Sequence, residues 1–311
     1  MDQRAVEQFV AVAEELSVTR AARRLYAAQS TVSAGVRSLE HELGTRLFER
    51  TTRSMRLTEA GERVLPEARA LLAAATRMHD VAADDDAQLR GRVRLGSFAG
   101  LDVVDLPHVV ATFRAEHPLV DLVLSASPHG STGLVDDLRR GRLDVAFSSL
   151  PDRSDPDLVS VPLVALPFVV LVPPGHRLAR RRRVRLAELA DEGWVDTLAG
   201  YGNRVLLDRT LGERGVRRRL VVEVAELPSV PRYVAAGVGV AVVPDVVEAP
   251  GCVRVDLVDG PAPWSVAVCT RRHDGPGAAA RALVAALVGS GPARQPGPSG
   301  ARDRPPATSP G

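Results

Sequence analysis

Between Val64 and Ala82 the apolar residues Val64, Ala68, Leu71, Ala75, Met78 and Ala82 recur at intervals of four, three, four, three and four. This is the heptad seam of a long helix made to lie against another helix. Leu65 and Leu72 widen the stripe. Thr58 is the expected cap, Glu59 complements the N-terminal dipole, and Pro66 in the second turn imposes a bend. Leu71 and Met78 are large, while Ala68, Ala75 and Ala82 permit close approach. Val64, Ala68, Leu71, Leu72, Ala75 and Met78 are therefore the expected dimerisation residues, and Asp84-Asp85-Asp86 the expected hinge. Such a helix divides a chain into a part before and a part after.

The part before reads as short helices. Phe9, Val10, Ala13 and Leu16 share one helical face, and Ser17 and Thr19 start a second helix. A break at Tyr26-Ala27-Ala28 leads to a third helix, Gln29 to Leu43, ended by Gly44. Arg46-Leu47-Phe48 and Met55-Arg56-Leu57 form a small hairpin, or wing, around the turn 50–54. On the third helix Val32, Val36, Leu39 and Leu43 form the face expected to be buried. The outer arc carries Ser30, Ala34, Arg37, Ser38 and His41, with Thr31 and Ser33 at its edges. It is short, polar and poor in carboxylates, which suits entry into a major groove. Gln29 in the first turn matches an adenine edge, and Arg50, Arg53 and Arg56 match phosphates or the minor groove. A solvated face of an ordinary three-helix bundle gives the same wheel, so the wheel alone leaves both readings open.

Net charge is only +2, so nucleic-acid contact must come from such a local cluster. The chain contains no lysine, and every cation is a guanidinium fork suited to phosphate or guanine. Two cysteines, Cys252 and Cys269, cannot make a disulfide framework, and Cys269 falls in an apolar strand-like run. The amphipathic pattern begins at once, with no signal peptide. The most apolar stretch, Val159 to Val172, is broken by Pro162 and Pro167, so no membrane span is expected and the location is cytoplasmic.

From Arg92 the period changes to alternating strands and helices: Val93–Leu95, Leu106–His117, Val120–Leu124, Leu134–Leu138, Leu143–Phe147, Phe168–Val172, Leu186–Ala190, Trp194–Val195, Val205–Leu211, Val221–Val224, Val230–Ala236, Val240–Val243, Trp264–Cys269 and Ala278–Val288. This predicts α/β architecture with mostly parallel sheets. The residues after Gly289, rich in Pro, Gly, Ser and Arg, read as disordered.

Phe9-Val10-Ala11-Val12-Ala13-Glu14-Glu15, Thr19-Arg20-Ala21-Ala22, Gln29-Ser30-Thr31-Val32-Ser33, Leu39-Glu40-His41-Glu42-Leu43-Gly44, Leu47-Phe48-Glu49-Arg50 and Leu57-Thr58-Glu59-Ala60-Gly61 together resemble the signature of LysR-type transcriptional regulators. The resemblance implies an all-α winged helix-turn-helix over 1–58, a linker and dimerisation helix over 59–88, and a bilobal α/β effector-binding domain over 92–290. That domain resembles type 2 periplasmic binding proteins, with lobe I about 92–163 and 267–290, lobe II about 164–266, and a tail at 291–311. It further implies double-stranded promoter DNA as partner, a homodimer or a homotetramer built as a dimer of dimers, and RNA polymerase as a candidate contact. Three departures stand out. Ala28 replaces a capping hydroxyl, Ala34 and Gly35 replace longer polar residues, and Gly100 stands where a hydroxyl is common. Readout is thereby shifted to Gln29, Ser30, Thr31, Ser33 and the wing, with Arg37 of the outer arc also among the expected DNA contacts.

No P-loop, G-x-S-x-G or His/Cys cluster at metal spacing occurs, so no enzyme, cofactor or metal site is expected. Three small or polar segments precede helices: Ser97-Phe98-Ala99-Gly100, Ser127 to Thr132, and Gly200 to Arg204. Helix N-termini favour anions, although ordinary turn chemistry gives the same pattern. By resemblance these segments border the cleft between lobes, which makes Ser97, Phe98, Gly100, Ser131, Thr132, Ser148, Asn203 and Arg204 the expected contacts of a small, anionic effector. The rival readings are a bilobal solute-binding protein or enzyme, and a regulator without an effector. The amino-terminal motifs oppose the first.

Overall fold

The computed structural model describes residues 1–50, 55–82, 88–98, 103–150, 155–272 and 275–291, apart from the side chains of 50, 76, 77 and 79–82. The expected hinge, Arg53, Gly100 and the tail from 292 lie outside the described residues.

Three helices open the chain: α1 (Gln3–Glu15), α2 (Val18–Arg24) and α3 (Gln29–Leu43). The Asp2 carboxylate accepts from the Arg4 amide, and the Ser17 hydroxyl from the Arg20 amide, which caps the first two. Ala28 offers α3 no side-chain cap, and Gly44 closes that helix at φ 66°. Phe9, Val12, Val32, Val36, Leu39 and Leu47 are fully buried, and Phe9 meets Phe48 edge to face at 5.5 Å. Two residues placed on buried faces by their spacing are not buried. Leu16 closes α1 in the left-handed region, which turns its side chain away from the helical face. Leu43, at the end of α3, is 40% exposed, and the buried leucine at this end of the domain is Leu47.

The wing pairs β1 (Phe48–Arg50) with β2 (Met55–Leu57) in antiparallel register, Phe48 opposite Leu57. Helix α4 (Glu59–Ala82) follows, and the Thr58 hydroxyl accepts from the Gly61 amide at 2.9 Å. Its N-terminal half packs on the first domain: Ala68 is buried there, with Val64, Leu65, Leu71 and Leu72 against the same core.

The rest of the described chain runs β3 (Gly91–Ser97), α5 (Leu106–Glu116), β4 (Val120–Ala126), α6 (Gly130–Arg139), β5 (Val145–Ser148), β6 (Leu158–Leu166), β7 (Phe168–Val172), β8 (Arg183–Val184), β9 (Gly193–Thr197), α7 (Gly202–Glu213), β10 (Arg219–Val224), α8 (Val230–Ala235), β11 (Ala241–Pro244), β12 (Val253–Leu257), β13 (Trp264–Arg271) and α9 (Ala278–Gly289). One sheet has the order β4-β3-β5-β13-β6, and a second the order β11-β7-β12-β8. The pair β10-β9 joins the second lobe through a bridge between Trp194 and Val240. The chain passes between lobes at Pro167 and again between Leu257 and Trp264.

The sheets are mixed rather than mostly parallel: β13 runs antiparallel to β5 and β6, and β7 antiparallel to β11 and β12. Strands β6, β8 and β12 went unread in the sequence, and the stretch 186–189 is a 3-10 turn instead of an α-helix. Pro162 is tolerated because β6 is a sheet edge, where a missing amide donor costs no ladder bond on the open side.

Candidate functional site: a nucleic-acid face and a seam between lobes

The amino-terminal face is built on α3. Gln29, Ser30, Thr31 and Arg37 are exposed along it, Ser33 is half-buried, and Arg56 projects from β2. The Arg50 backbone pairs with Met55 in the wing. The two acidic side chains of α3 are engaged elsewhere: Glu40 accepts from the amides of Leu47 (2.8 Å) and Phe48 (3.2 Å), and Glu42 pairs with the Met1 ammonium at 3.0 Å. This leaves the outer arc free of competing negative charge, which a phosphate surface requires. Arg24 is committed to Glu14 at 2.7 Å, whereas Arg23 is exposed. Sequence spacing treated Tyr26 only as a break. The structure shows it almost fully exposed, at φ 50°, in the turn that delivers α3.

The second region lies where α6 of lobe I faces α7 of lobe II. The Thr132 amide and hydroxyl both donate to the Gly200 carbonyl, each at 3.1 Å. A Cβ on Gly200 would stand 2.6 Å from the His129 carbonyl oxygen, and one on Gly202 2.3 Å from that of Ser149. Glycine at these two positions is what lets the lobes touch. Buried Ser131 shares a 3.0 Å hydrogen bond with the Ser149 hydroxyl and accepts from the Ser149 amide. Ser148 is buried beside it, with its hydroxyl accepting from the Leu150 amide. Ser97 and Phe98 are buried at the end of β3, where the Ser97 carbonyl accepts from the Ser127 amide. Asn203 donates to the Thr197 hydroxyl at 3.0 Å.

Arg204 points away from this seam. It donates to Glu223 (2.9 Å), Asp208 (2.8 Å) and the Thr197 carbonyl (2.7 Å) within lobe II. Arg218 completes that cluster against Asp196 and Asp208, above the Trp194 ring. Burial disfavours the Arg204 cation, but Glu223 and Asp208 outweigh it and hold its proton more firmly than usual. Ser149 belongs to the hydroxyl-lined seam although it was not singled out, and the doublet Ser148-Ser149 at the end of a buried strand was the available signal. Trp264, at the second crossover, is buried with an indole N–H that has no acceptor among the described residues.

The amino-terminal domain and lobe I are joined through Glu14. Its carboxylate meets Arg24, then Arg69 of α4 at 3.1 Å and Arg94 of β3 at 3.7 Å. Arg94 in turn grips Asp144 at 2.8 and 3.0 Å. Burial works against ionisation of Glu14, but the Arg24 hydrogen bond and the three cations prevail, and its carboxyl sits below the ordinary range.

Residues 3–62 match the model of the bacterial regulatory helix-turn-helix protein, lysR family, and residues 86–291 match the LysR substrate binding domain. The chain belongs to the LysR family of transcriptional regulators. It combines DNA binding through a helix-turn-helix with an effector-binding domain. Among relatives of this LysR regulator, the HTH-type transcriptional regulator ShiR of Corynebacterium glutamicum is 36% identical over 78% of this chain and 82% of its own. A protein named as a probable hydrogen peroxide-inducible genes activator from Mycobacterium avium is 35% identical over 76% and 75%. Full-length OxyR from Pseudomonas aeruginosa superposes with a TM-score of 0.74 at 26% identity, over 93% of this chain and 94% of that one. No helix among the described residues of this LysR regulator is long and apolar enough to cross a membrane.

Proposed function

We propose that this LysR regulator works in the cytoplasm without catalytic activity, reads promoter DNA with Gln29, Ser30, Thr31, Ser33, Arg37 and the wing arginines, and responds to a small anionic effector held between the lobes. The regions 1–58, 59–88 and 92–290 act as its DNA-binding, linker and regulatory units, and it assembles as a dimer of dimers through α4. The observation that carries the effector reading is the seam itself. Thr132 and Gly200 close it with two hydrogen bonds, and Ser131, Ser148 and Ser149 line it with hydroxyls. A carboxylate entering here exchanges weak interlobe bonds for charge-assisted ones from hydroxyls and helix amides. Arg204 acts by holding the base of α7 rather than by touching the ligand.

The peroxide chemistry suggested by the name of the mycobacterial relative is disfavoured. A reactive thiol needs a stabilised thiolate. Burial pushes the Cys252 thiol up, and the thiol donates to the Pro231 carbonyl. Cys269 is buried in β13. The deciding experiment is a mobility shift on the chain's own upstream DNA, combined with thermal shift against a panel of small carboxylates. Retarded DNA plus a carboxylate that changes its affinity supports the reading. Retardation that no carboxylate alters, with no thermal shift, favours a regulator without an effector.

A further inference from the structure

Tyr26 is 99% exposed, the most exposed large apolar side chain among the described residues. Its hydroxyl has no hydrogen-bond partner among those residues. Its backbone, by contrast, is held in place. The Ala27 amide donates to the Ala22 carbonyl at 2.9 Å, and the Tyr26 amide to the Arg23 carbonyl at 3.2 Å. These two bonds end α2 as a Schellman motif, with Tyr26 at the left-handed position that glycine usually holds. A side chain there is strained, because its Cβ crowds the following carbonyl. The chain thus puts a bulky ring where glycine costs least, and leaves that ring in water. Neither choice helps it fold, which points to a use outside the chain.

Position indicates what the ring meets. Tyr26 stands three residues before Gln29, so their Cα atoms are at most about 11 Å apart. The major groove is about 12 Å wide. With the first turn of α3 over base edges, Tyr26 therefore lies at the flanking sugar-phosphate strand. Ala28, Gln29 and Ser30 are exposed, so one open surface joins Tyr26 to the reading face. The sequence from Leu16 to Leu39 contains no acidic residue, so the local chain puts no like charge against a phosphate.

We propose that Tyr26 positions the protein on DNA: its phenol O–H donates to a backbone phosphate beside the groove that α3 enters. The proposal rests on the reading of α3 as the groove helix. A phenol is a neutral donor, so the bond is blind to base sequence and releases no counterion. Such a contact fixes how far along the groove α3 sits, and with it the register of Gln29 against the bases.

The test is binding of the full chain to two labelled duplexes over a salt series, one from the chain's own upstream region and one of scrambled sequence. Tyr26→Phe is expected to weaken both equally, by roughly three- to tenfold, as for loss of one hydrogen bond. The salt slope should stay as in the parent, unlike that of Arg56→Ala. Tyr26→Gly should bind at least as weakly while melting no lower than the parent, because glycine relieves the left-handed strain. Parent-like affinity in Tyr26→Phe overturns the proposal, and so does a loss confined to the upstream duplex, which means a base contact. A Tyr26→Gly protein that melts lower than the parent makes the ring structural and also overturns it. Gln29→Ala separates this proposal from the reading beneath it. If Gln29→Ala loses discrimination while Tyr26→Phe binds normally, Tyr26 alone is misassigned. If Gln29→Ala, Arg56→Ala and both Tyr26 variants all bind normally, α3 is not the groove helix and both readings fall.

Discussion

Arg69 donates Nη2 at 3.1 Å and Nε at 3.3 Å to Glu14, while its Nη1 reaches the Arg140 carbonyl at 2.9 Å. One guanidinium on the linker helix thus connects the first helix of the DNA-binding domain to lobe I. Because Arg69 is buried, this contact excludes water and is stiffer than a surface ion pair.

Glu14→Gln removes the shared anion and leaves Arg69 and Arg94 facing each other. Loss of one partner of a buried pair costs about 3 kcal/mol. The variant should melt several degrees lower in a thermal scan, with DNA binding retained once folded. The pH response has a definite sign. Glu14 ionises more readily folded than unfolded, so its contribution is fully present above the ordinary carboxylate value of 4.5 and is lost as pH falls through the lower folded value. Acid titration of stability should therefore be less steep in Glu14→Gln than in the parent. An unchanged acid limb rules out this role.

In the assembly proposed above, the linker helix serves two partners, and substitutions should separate them. Leu71 packs against the core of its own amino-terminal domain, whereas Met78 is 75% exposed. Met78→Asp should lower the mass in light scattering with an unchanged melting curve. Leu71→Asp should lower both, because it buries an unpaired charge inside the chain as well as between chains. Unchanged mass in Met78→Asp would place the assembly surface elsewhere.

On the DNA face, Gln29→Ala should lose about 1–3 kcal/mol of discrimination at one base position. Ser33→Arg, at a half-buried site, should weaken specific binding more broadly. Arg56→Ala should weaken all sequences alike and reduce the salt slope by about one unit. Competition binding at several salt concentrations separates these outcomes, and normal binding by all three folded variants would refute the assignment.

Thr132→Val deletes the side-chain half of the bond to Gly200, worth about 1 kcal/mol, and should shift the effector response without loss of DNA binding. Arg204→Ala leaves Glu223 without its ion-pair partner and Asp208 with Arg218 alone, near a buried Asp196. It should therefore lower the melting temperature as well as the response. An Arg204→Ala protein of normal stability that has lost ligand affinity would instead return Arg204 to direct contact.

What could be read in advance was local. Gly44 after α3, Ser17 before α2, and the heptad spacing of α4 each depend on residues within a few positions, and their placement follows from helix geometry alone. Strands β6 and β12 were missed because their identity depends on partners far along the chain: Ser160 lies opposite Cys269, and Val255 opposite Val170. The same limit applied to the site. Arg204 looked available to a ligand because Glu223 is remote in sequence, and Ala68 looked available to a second copy because the packing of α1 on α4 is tertiary.

Glu40 holds the amides of both Leu47 and Phe48, so α3 and the base of the wing are held together as one caliper. In the DNA-binding mode proposed above, the gap between the groove that α3 enters and the phosphates that the wing meets is set by the protein. Operators whose grooves are wider or narrower than that gap must be fitted by deforming the duplex. Selection among them then falls on stiffness, at base steps that no side chain reaches.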